Sequence, residues 1–294
     1  PQKDLNGRSI HIPRGQTLGG TSSINGMVYA RGHHTDYDDW AALGNVGWSW
    51  KEVLPYFIKS EHNEQFGGNA FHGEGGYLNV RRLDTPNPLN NIYLEAVKSL
   101  QYTDNEDFNG PVQEGAGMYQ STTTRGRRHS TATAFLNPVK HRDNLTIRAK
   151  APVLNLLFAN KRVTGVLIRY GGEKQVLSAT KEVILSAGSI LSPVILMRSG
   201  IGEGKILQDL GLEVAHSLPG VGKNLQDHTS CILYTRSKSR LPYGISLPAL
   251  PNLAWWMLDY LFRRKGLFAS NIFLRISVVM FHFCYLNSSG NVTS

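Results

Sequence analysis

The stretch GQTLGGTSSING at residues 15–26 constrains this chain more than any other. Its paired glycines, Gly19 and Gly20, let the backbone turn sharply and approach a ligand closely. Thr21, Ser22 and Ser23 add hydroxyl donors, and Asn25 adds an amide. Successive N–H groups in such a turn form a nest suited to a diphosphate. No Gly-Lys-Ser/Thr follows, so this is not a Walker loop, and the spacing is not G-x-G-x-x-G. By itself the stretch reads either as a phosphate or cofactor cradle or as a Gly/Ser surface loop.

The rest of the composition narrows the classes of function. With 41% hydrophobic and 18% charged residues in 294, the chain is neither disordered, collagenous nor coiled-coil. Its two cysteines, Cys231 and Cys284, form no C-x-x-C pair, which argues against a disulfide framework or a thiolate zinc site. Lys and Arg exceed Asp and Glu by 31 to 22, a net charge of +9. The basic clusters at 125–128, 236–240 and 263–265 are short and read as solvated loops and helix ends. No RNA-binding aromatic signature or zinc finger accompanies them, so no nucleic-acid partner is expected.

The first residue is Pro1, with no signal or transit segment after it, so cytoplasmic and membrane-associated locations both stay open. Residues 267–286 are apolar and near the length of a membrane span, but Arg275 and His282 interrupt them. They read as a buried strand or helix. Asn144, Asn287 and Asn291 begin N-x-[ST] sequons, which matter only in a secreted chain.

Helices and strands alternate irregularly, as in a mixed α/β protein. Ser49 and Glu52 make a capping box, Asn87-Pro88 opens a second helix, Ser192-Pro193 a third, and Thr35 with Asp38 caps a fourth. Residues 145–148, 153–158, 163–170 and 175–178 are β-rich, with Asn160-Lys161 and Gly171-Gly172 as hairpin turns. Residues 183–188, VILSAG, read as a fully buried and parallel strand.

After the glycines the chain continues through Met27, Val28, Tyr29, Arg31, Gly32, Asp36, Tyr37 and Trp40. The run resembles the first signature of the glucose–methanol–choline (GMC) oxidoreductases, G-[KR]-x-[LVW]-G-G-[ST]-[ST]-x-[IL]-N-x-M-x-Y-x-R-G-x-x-x-D-[YF]-x-x-W. Only Gln16, where Lys or Arg is usual, departs from it. Residues 188–202 are similar to the second signature, G-[AS]-x-x-[ST]-P-x-[LIVM]-[LIVM]-x-x-S-G-[LIVM]-G, and residues 218–228 to a third block, P-G-V-G-x-N-L-x-D-H. The resemblance runs from about residue 6 to residue 271 and is nearest to the choline dehydrogenase and aliphatic-alcohol dehydrogenase branch.

The resemblance implies FAD and oxidation of an alcohol CH–OH group, with hydride passing to flavin N5 and electrons going on to a quinone or another acceptor. Peripheral membrane association of the complete enzyme is a further family-level expectation. The cofactor positions it implies are Thr17, Gly19, Gly20, Asn25, Gly26, Met27 and Val28, with Val153 at the adenine end. Ala187 and Gly188 would lie near the cofactor or serve packing. Ile24 stands where some relatives carry a covalently attached His, so non-covalent FAD is expected. His33 and His34 read as ordinary hydrogen-bonded residues, and Asp227-His228 as structural. No metal site is expected.

The layout implied is a Rossmann-like FAD-binding domain over 1–230, incomplete and with a cap segment about 41–120. The start of an antiparallel substrate domain follows over 231–294, with an atypical tail at 272–294. The strand and G-x-G-x-x-G unit that hold the pyrophosphate would precede residue 1. The catalytic His with its partner His or Asn would follow residue 294, so no catalytic residue is assigned. A non-catalytic remnant of the fold is the alternative, and the chain alone is expected to be unstable, without a sharp cooperative melt. Trp255, Trp256 and Tyr260 read as helix core rather than as an aromatic cage for a quaternary ammonium.

Overall fold

The computed structural model describes residues 6–84, 86–227 and 250–269. The chain is mixed α/β and divides into two compact units. One comprises the described residues of 1–145 and 237–294, the other those of 146–236. Cys231, His228, Cys284, the 236–240 cluster, Asn287, Asn291 and most of the apolar stretch 267–286 lie outside the described residues.

In the first unit a 3₁₀ turn, Gly20–Ser23, leads into β1, Val28–Tyr29. Helix α1, His34–Ala42, follows. Its cap is not Thr35 with Asp38. His33 fills that role: its N–H donates to Asp36 Oδ2 at 2.8 Å, and its Nδ1 accepts from the Thr35 N–H. Asp38 instead accepts the first N–H of α2, that of Trp50, at 2.9 Å. Helix α2, Trp50–Ser60, has the expected capping box, with Ser49 N–H and Oγ both donating to Glu52 Oε2. Tyr37 joins the two helices, its ring 5.6 Å from Trp50 and 5.8 Å from Phe57.

Strands β2, Glu61–Asn63, and β3, Leu78–Val80, pair in parallel. Helix α3, Pro88–Ser99, starts as predicted, with Asn87 Oδ1 accepting the Leu89 N–H at 3.0 Å. Strand β4, Gln120–Ser121, pairs antiparallel with β1. A tight hairpin of β5, Thr123–Thr124, and β6, Arg127–Arg128, turns through Arg125 and Gly126 at positive φ. This hairpin had no strand signal in the sequence, because each arm is only two residues long.

The second unit holds an antiparallel meander: β7, Val153–Ala159, β8, Arg162–Tyr170, and β9, Glu173–Ser178. The turns fall where predicted, at Asn160 (φ 56°) and at Gly171-Gly172 (φ 62° and 89°). Residues 145–148 form no strand. Helix α4, Gly188–Arg198, covers β7 and buries Leu154, Leu156 and Ile195. It starts four residues before the predicted Ser192, whose Oγ accepts the Ala187 N–H at 3.1 Å.

Strand β10, Ile201–Gly202, helix α5, Gly204–Asp209, and strand β11, His216–Ser217, complete the unit. Gly200 sits at φ 82° with a would-be Cβ 2.5 Å from the Glu213 carbonyl oxygen. Ser199 Oγ accepts the Leu156 N–H at 2.8 Å. The Ser-Gly of the second signature therefore serves close packing.

Residues 183–187 are not the buried parallel strand that was expected. They are irregular, and Ile184 is 78% exposed. A parallel strand is buried only between neighbours that pair with it and layers that cover it. No described strand aligns with this run. In the first unit, α6, Leu250–Arg263, is followed by a short 3₁₀ helix, Leu267–Ala269. Trp255 is exposed on α6, whereas Trp256 and Tyr260 are half-buried and Tyr260 meets Phe268. Among the described residues no helix is long and apolar enough to cross a membrane.

Candidate cofactor site

Seven of the eight predicted positions fall within residues 17–28, and the local chemistry explains the shape of that stretch. Gly19 (φ 87°) and Gly20 (φ 53°) adopt left-handed backbone that L side chains rarely take. Gly15 lies under the turn, where a Cβ would stand 2.2 Å from the Gly20 carbonyl oxygen. Gly20 faces open space, with nothing within 4 Å of a would-be Cβ. The turn is closed by Gly20 N–H to Thr17 O at 2.9 Å and Asn25 N–H to Thr21 O at 2.8 Å. The N–H groups of Leu18, Gly19, Thr21 and Gly26 make no hydrogen bond to any described residue. Small residues, an open outer face and unused donors fit a polyanionic cofactor.

The three hydroxyls are not simply ligand donors. Ser22 Oγ and Ser23 Oγ donate to the carbonyls of Gly19 and Leu18, and Thr21 Oγ1 accepts the Gly15 N–H at 3.3 Å. Asn25 turns its Oδ1 back on the Met27 N–H at 3.1 Å, which holds Met27 at φ 60°. Val28 lies on β1, paired with Ser121 and 42% exposed. Thr17 is exposed. Val153 opens β7 in the other unit, opposite Ile168. Ala187 and Gly188, also in that unit, are exposed. Ile24, 49% exposed, carries no nucleophilic atom.

Two residues not assigned to the site from the sequence hold this loop from one side, and one of them, Arg128, belongs to the 125–128 cluster that was read as a solvated loop. Arg128 on β6 donates through Nη1 to Ser22 O at 3.1 Å, Asn25 O at 2.7 Å and Asn25 Oδ1 at 2.8 Å. Thr131 donates its N–H to Ser22 Oγ at 3.0 Å and its hydroxyl to Gly19 O at 3.2 Å. Ala132 comes within 3.1 Å of a would-be Cβ on Gly19.

Beyond β1 the same backbone runs into a buried ionic cluster. Arg31 Nη2 lies 3.0 Å from Glu61 Oε2, in ion contact without an aligned hydrogen bond. Arg31 Nη1 donates to Phe71 O at 2.8 Å, and the guanidinium lies over the Phe57 ring. His72 donates from Nδ1 to Glu61 Oε1 at 2.7 Å and from Nε2 to Asp107 Oδ2 at 2.9 Å. Glu61 is wholly buried and His72 nearly so. Asn109 ties the cluster to β1, accepting the Arg31 N–H at 2.7 Å and donating to Tyr29 O at 3.1 Å. Asn63 and Gln120 exchange reciprocal amide bonds at 2.9 and 2.8 Å, joining β2 to β4.

The electrostatics of the cluster follow from these contacts. Burial by itself lowers the His72 pKa, but the hydrogen bonds and charges of Asp107 and Glu61 outweigh it and raise the pKa to about 9. Burial raises the Glu61 pKa, yet His72, Arg31 and Tyr29 together hold it below the usual carboxylate range. The Asp107 pKa is lowered too, burial again opposing and His72 prevailing. Burial, then the Glu61 charge, pushes the Tyr29 phenol up.

The sign for stability is definite. His72 has a folded pKa above its ordinary 6.5, so its contribution is complete below pH 6.5 and is lost as pH rises through about 9. Denaturant midpoints of the intact protein are therefore expected to fall between these values, and His72→Asn to flatten that slope. An unchanged slope in the variant would remove His72 as its source. The two carboxylates act in the opposite direction, losing their contribution as pH falls through their lowered pKa values.

His33 is the α1 cap rather than a base, and His34 stacks on it at 4.0 Å. Among the described residues no group of His, Cys, Asp and Glu is arranged to hold a metal ion.

Known proteins carry the same pattern. Residues 3–230 match the GMC oxidoreductase family. The chain is 42% identical over 274 residues to an alcohol dehydrogenase [acceptor] of Pseudomonas putida, covering 92% of this chain and 50% of that protein. It is 44% identical over 278 residues to an oxygen-dependent choline dehydrogenase of Rhizobium rhizogenes, covering 93% and 49%. Among solved structures, an FAD-dependent oxidoreductase from Chaetomium thermophilum superposes with a TM-score of 0.80 at 30% identity, over 92% of this chain and 49% of that one. The chain thus spans about half the length of the relatives it matches. With the glycine turn, its Asn-Gly-Met continuation and the Ser-Gly packing in place, the chain belongs to the GMC oxidoreductase family.

Proposed function

We propose that this chain is the cofactor-cradling portion of an FAD-dependent oxidoreductase that oxidises the CH–OH group of an alcohol, choline or an aliphatic primary alcohol. The observation that carries the reading is the turn at 15–26, with left-handed glycines, an open face at Gly20 and unused N–H donors. FAD, when bound, supplies the acceptor for a hydride leaving the alcohol carbon. The chain's own residues bind and orient. Thr17, Gly19, Gly20, Asn25, Gly26, Met27 and Val28 would line the cofactor with backbone rather than bulk, and Val153 would meet its adenine end. No residue of this chain is assigned to take the hydroxyl proton.

FAD is read as non-covalently held, because Ile24 has no atom able to bond the flavin ring. A quinone or another external acceptor would take the electrons, in keeping with the word "acceptor" in the name of the Pseudomonas relative. The test is the flavin spectrum of the intact protein. A bound flavin is expected that a primary alcohol bleaches in the absence of oxygen, and that denaturation releases into the supernatant. A purified, folded protein with no flavin and no affinity for FAD would sink the proposal, and flavin left on the denatured chain would sink its non-covalent part.

A further inference from the structure

We infer that Arg128 is a positioning residue for the cofactor, setting the Gly26 amide by gripping the carbonyl of the same peptide. The inference rests on the flavin reading above and goes beyond it, since Arg128 belongs to none of the motifs that carry that reading. One guanidinium nitrogen binds three oxygens of the loop: Ser22 O, Asn25 O and Asn25 Oδ1. In a trans peptide the C=O and the following N–H point in opposite directions. Pinning Asn25 O on Arg128 at 2.7 Å therefore turns the Gly26 N–H away from Arg128. That N–H has no partner among the described residues.

Asn25 completes the device. Its Oδ1 accepts from both Arg128 Nη1 and the Met27 N–H, so the peptides on either side of Gly26 are tied while its own N–H stays unspent. Thr131 holds the other end of the turn at Gly19 O and Ser22 Oγ. The carbonyls of Gly19, Ser22 and Asn25 are thus held by Arg128 and Thr131. Donors remain for an acceptor oxygen or nitrogen of the cofactor. Arg128 is half-buried, and burial lowers its pKa.

The role differs from general support of the fold, and the test separates the two. FAD affinity, hydrogen exchange at the Gly26 amide and visible circular dichroism of the bound flavin are measured on the intact wild type and on Arg128→Met and Arg128→Lys. Arg128→Met is expected to weaken FAD binding about 10- to 100-fold, the loss of charge-assisted hydrogen bonds. It is also expected to change the flavin dichroism and to abolish the slowing of Gly26 exchange by FAD. Arg128→Lys, which keeps the charge and reaches fewer oxygens, is expected to recover part of the affinity and the dichroism. Arg82→Met removes an exposed guanidinium paired with Glu106 and controls for net charge, with affinity expected to stay within about twofold.

Wild-type affinity and an unchanged flavin spectrum in both Arg128 variants would overturn the inference and leave the flavin reading standing. So would weaker binding that tracks a lowered melting temperature, with dichroism unchanged and no rescue by lysine. A wild type that binds no FAD would overturn both.

Discussion

Replacing Glu61 by alanine is expected to destabilise the intact protein by about 3–5 kcal/mol, because it leaves two buried cations without their shared anion. Glu61 is wholly buried and touches Arg31 at 3.0 Å and His72 at 2.7 Å, and it also accepts the Gly73 N–H at 3.1 Å. Glu61→Gln keeps an oxygen for His72 and Gly73 and is expected to cost less, about 1–3 kcal/mol. Denaturant titration at pH 6 reads both, and a loss under about 1 kcal/mol for alanine would show that the cluster is solvated in solution. The Arg31→Met, Glu61→Leu double variant should be milder than the sum of its parts, because it removes both charges together. The cluster is joined to β1 through Asn109, so the alanine variant should also loosen the flavin.

Gly15→Ala is expected to weaken FAD binding about 10- to 100-fold, the effect of forcing an extra carbon into a closed turn. The new Cβ would lie 2.2 Å from Gly20 O, 2.5 Å from Gly20 C and 2.8 Å from Thr21 N. All three are backbone atoms, so no side chain can swing aside. The turn must open, and its unused N–H groups then diverge. Gly20→Ala is the informative contrast. Its Cβ would meet nothing within 4 Å, and only the left-handed φ of 53° opposes it, at about 1–2 kcal/mol. Denaturant titration of the two variants is therefore expected to rank Gly15→Ala well below Gly20→Ala, because the methyl of Gly20→Ala lies on the open face and touches only what binds there. The reverse order would mean that the Gly15 contact is soft.

Much of the local structure was legible because its causes are local. The Ser49–Glu52 box, the Asn87-Pro88 start and the turns at Asn160 and Gly171-Gly172 each depend on a few neighbouring residues, and all appear. Local signals also misled where two residues competed for one role. His33, not Thr35, caps α1, since its ring nitrogen reaches the Thr35 N–H while Asp38 is drawn off to α2. The run at 183–188 was read from apolarity alone, and apolar residues become a buried strand only when partners align with them.

The glycine turn was legible as a sharp turn from its residue types, because positive φ and close backbone approach leave few residues possible, whereas residues 15–26 by themselves left a cofactor cradle and a surface loop both open until the longer signature was read. That much belongs to the sequence. What holds the turn could not be read there. Arg128 and Thr131 lie over a hundred residues downstream of the loop they grip. Glu61, His72 and Asp107 show no spacing pattern that would mark them as partners of Arg31. Their meeting is decided by the tertiary structure, since buried charges must find opposite charges and hydrogen bonds wherever the fold brings them together, and no periodicity along the chain records that demand.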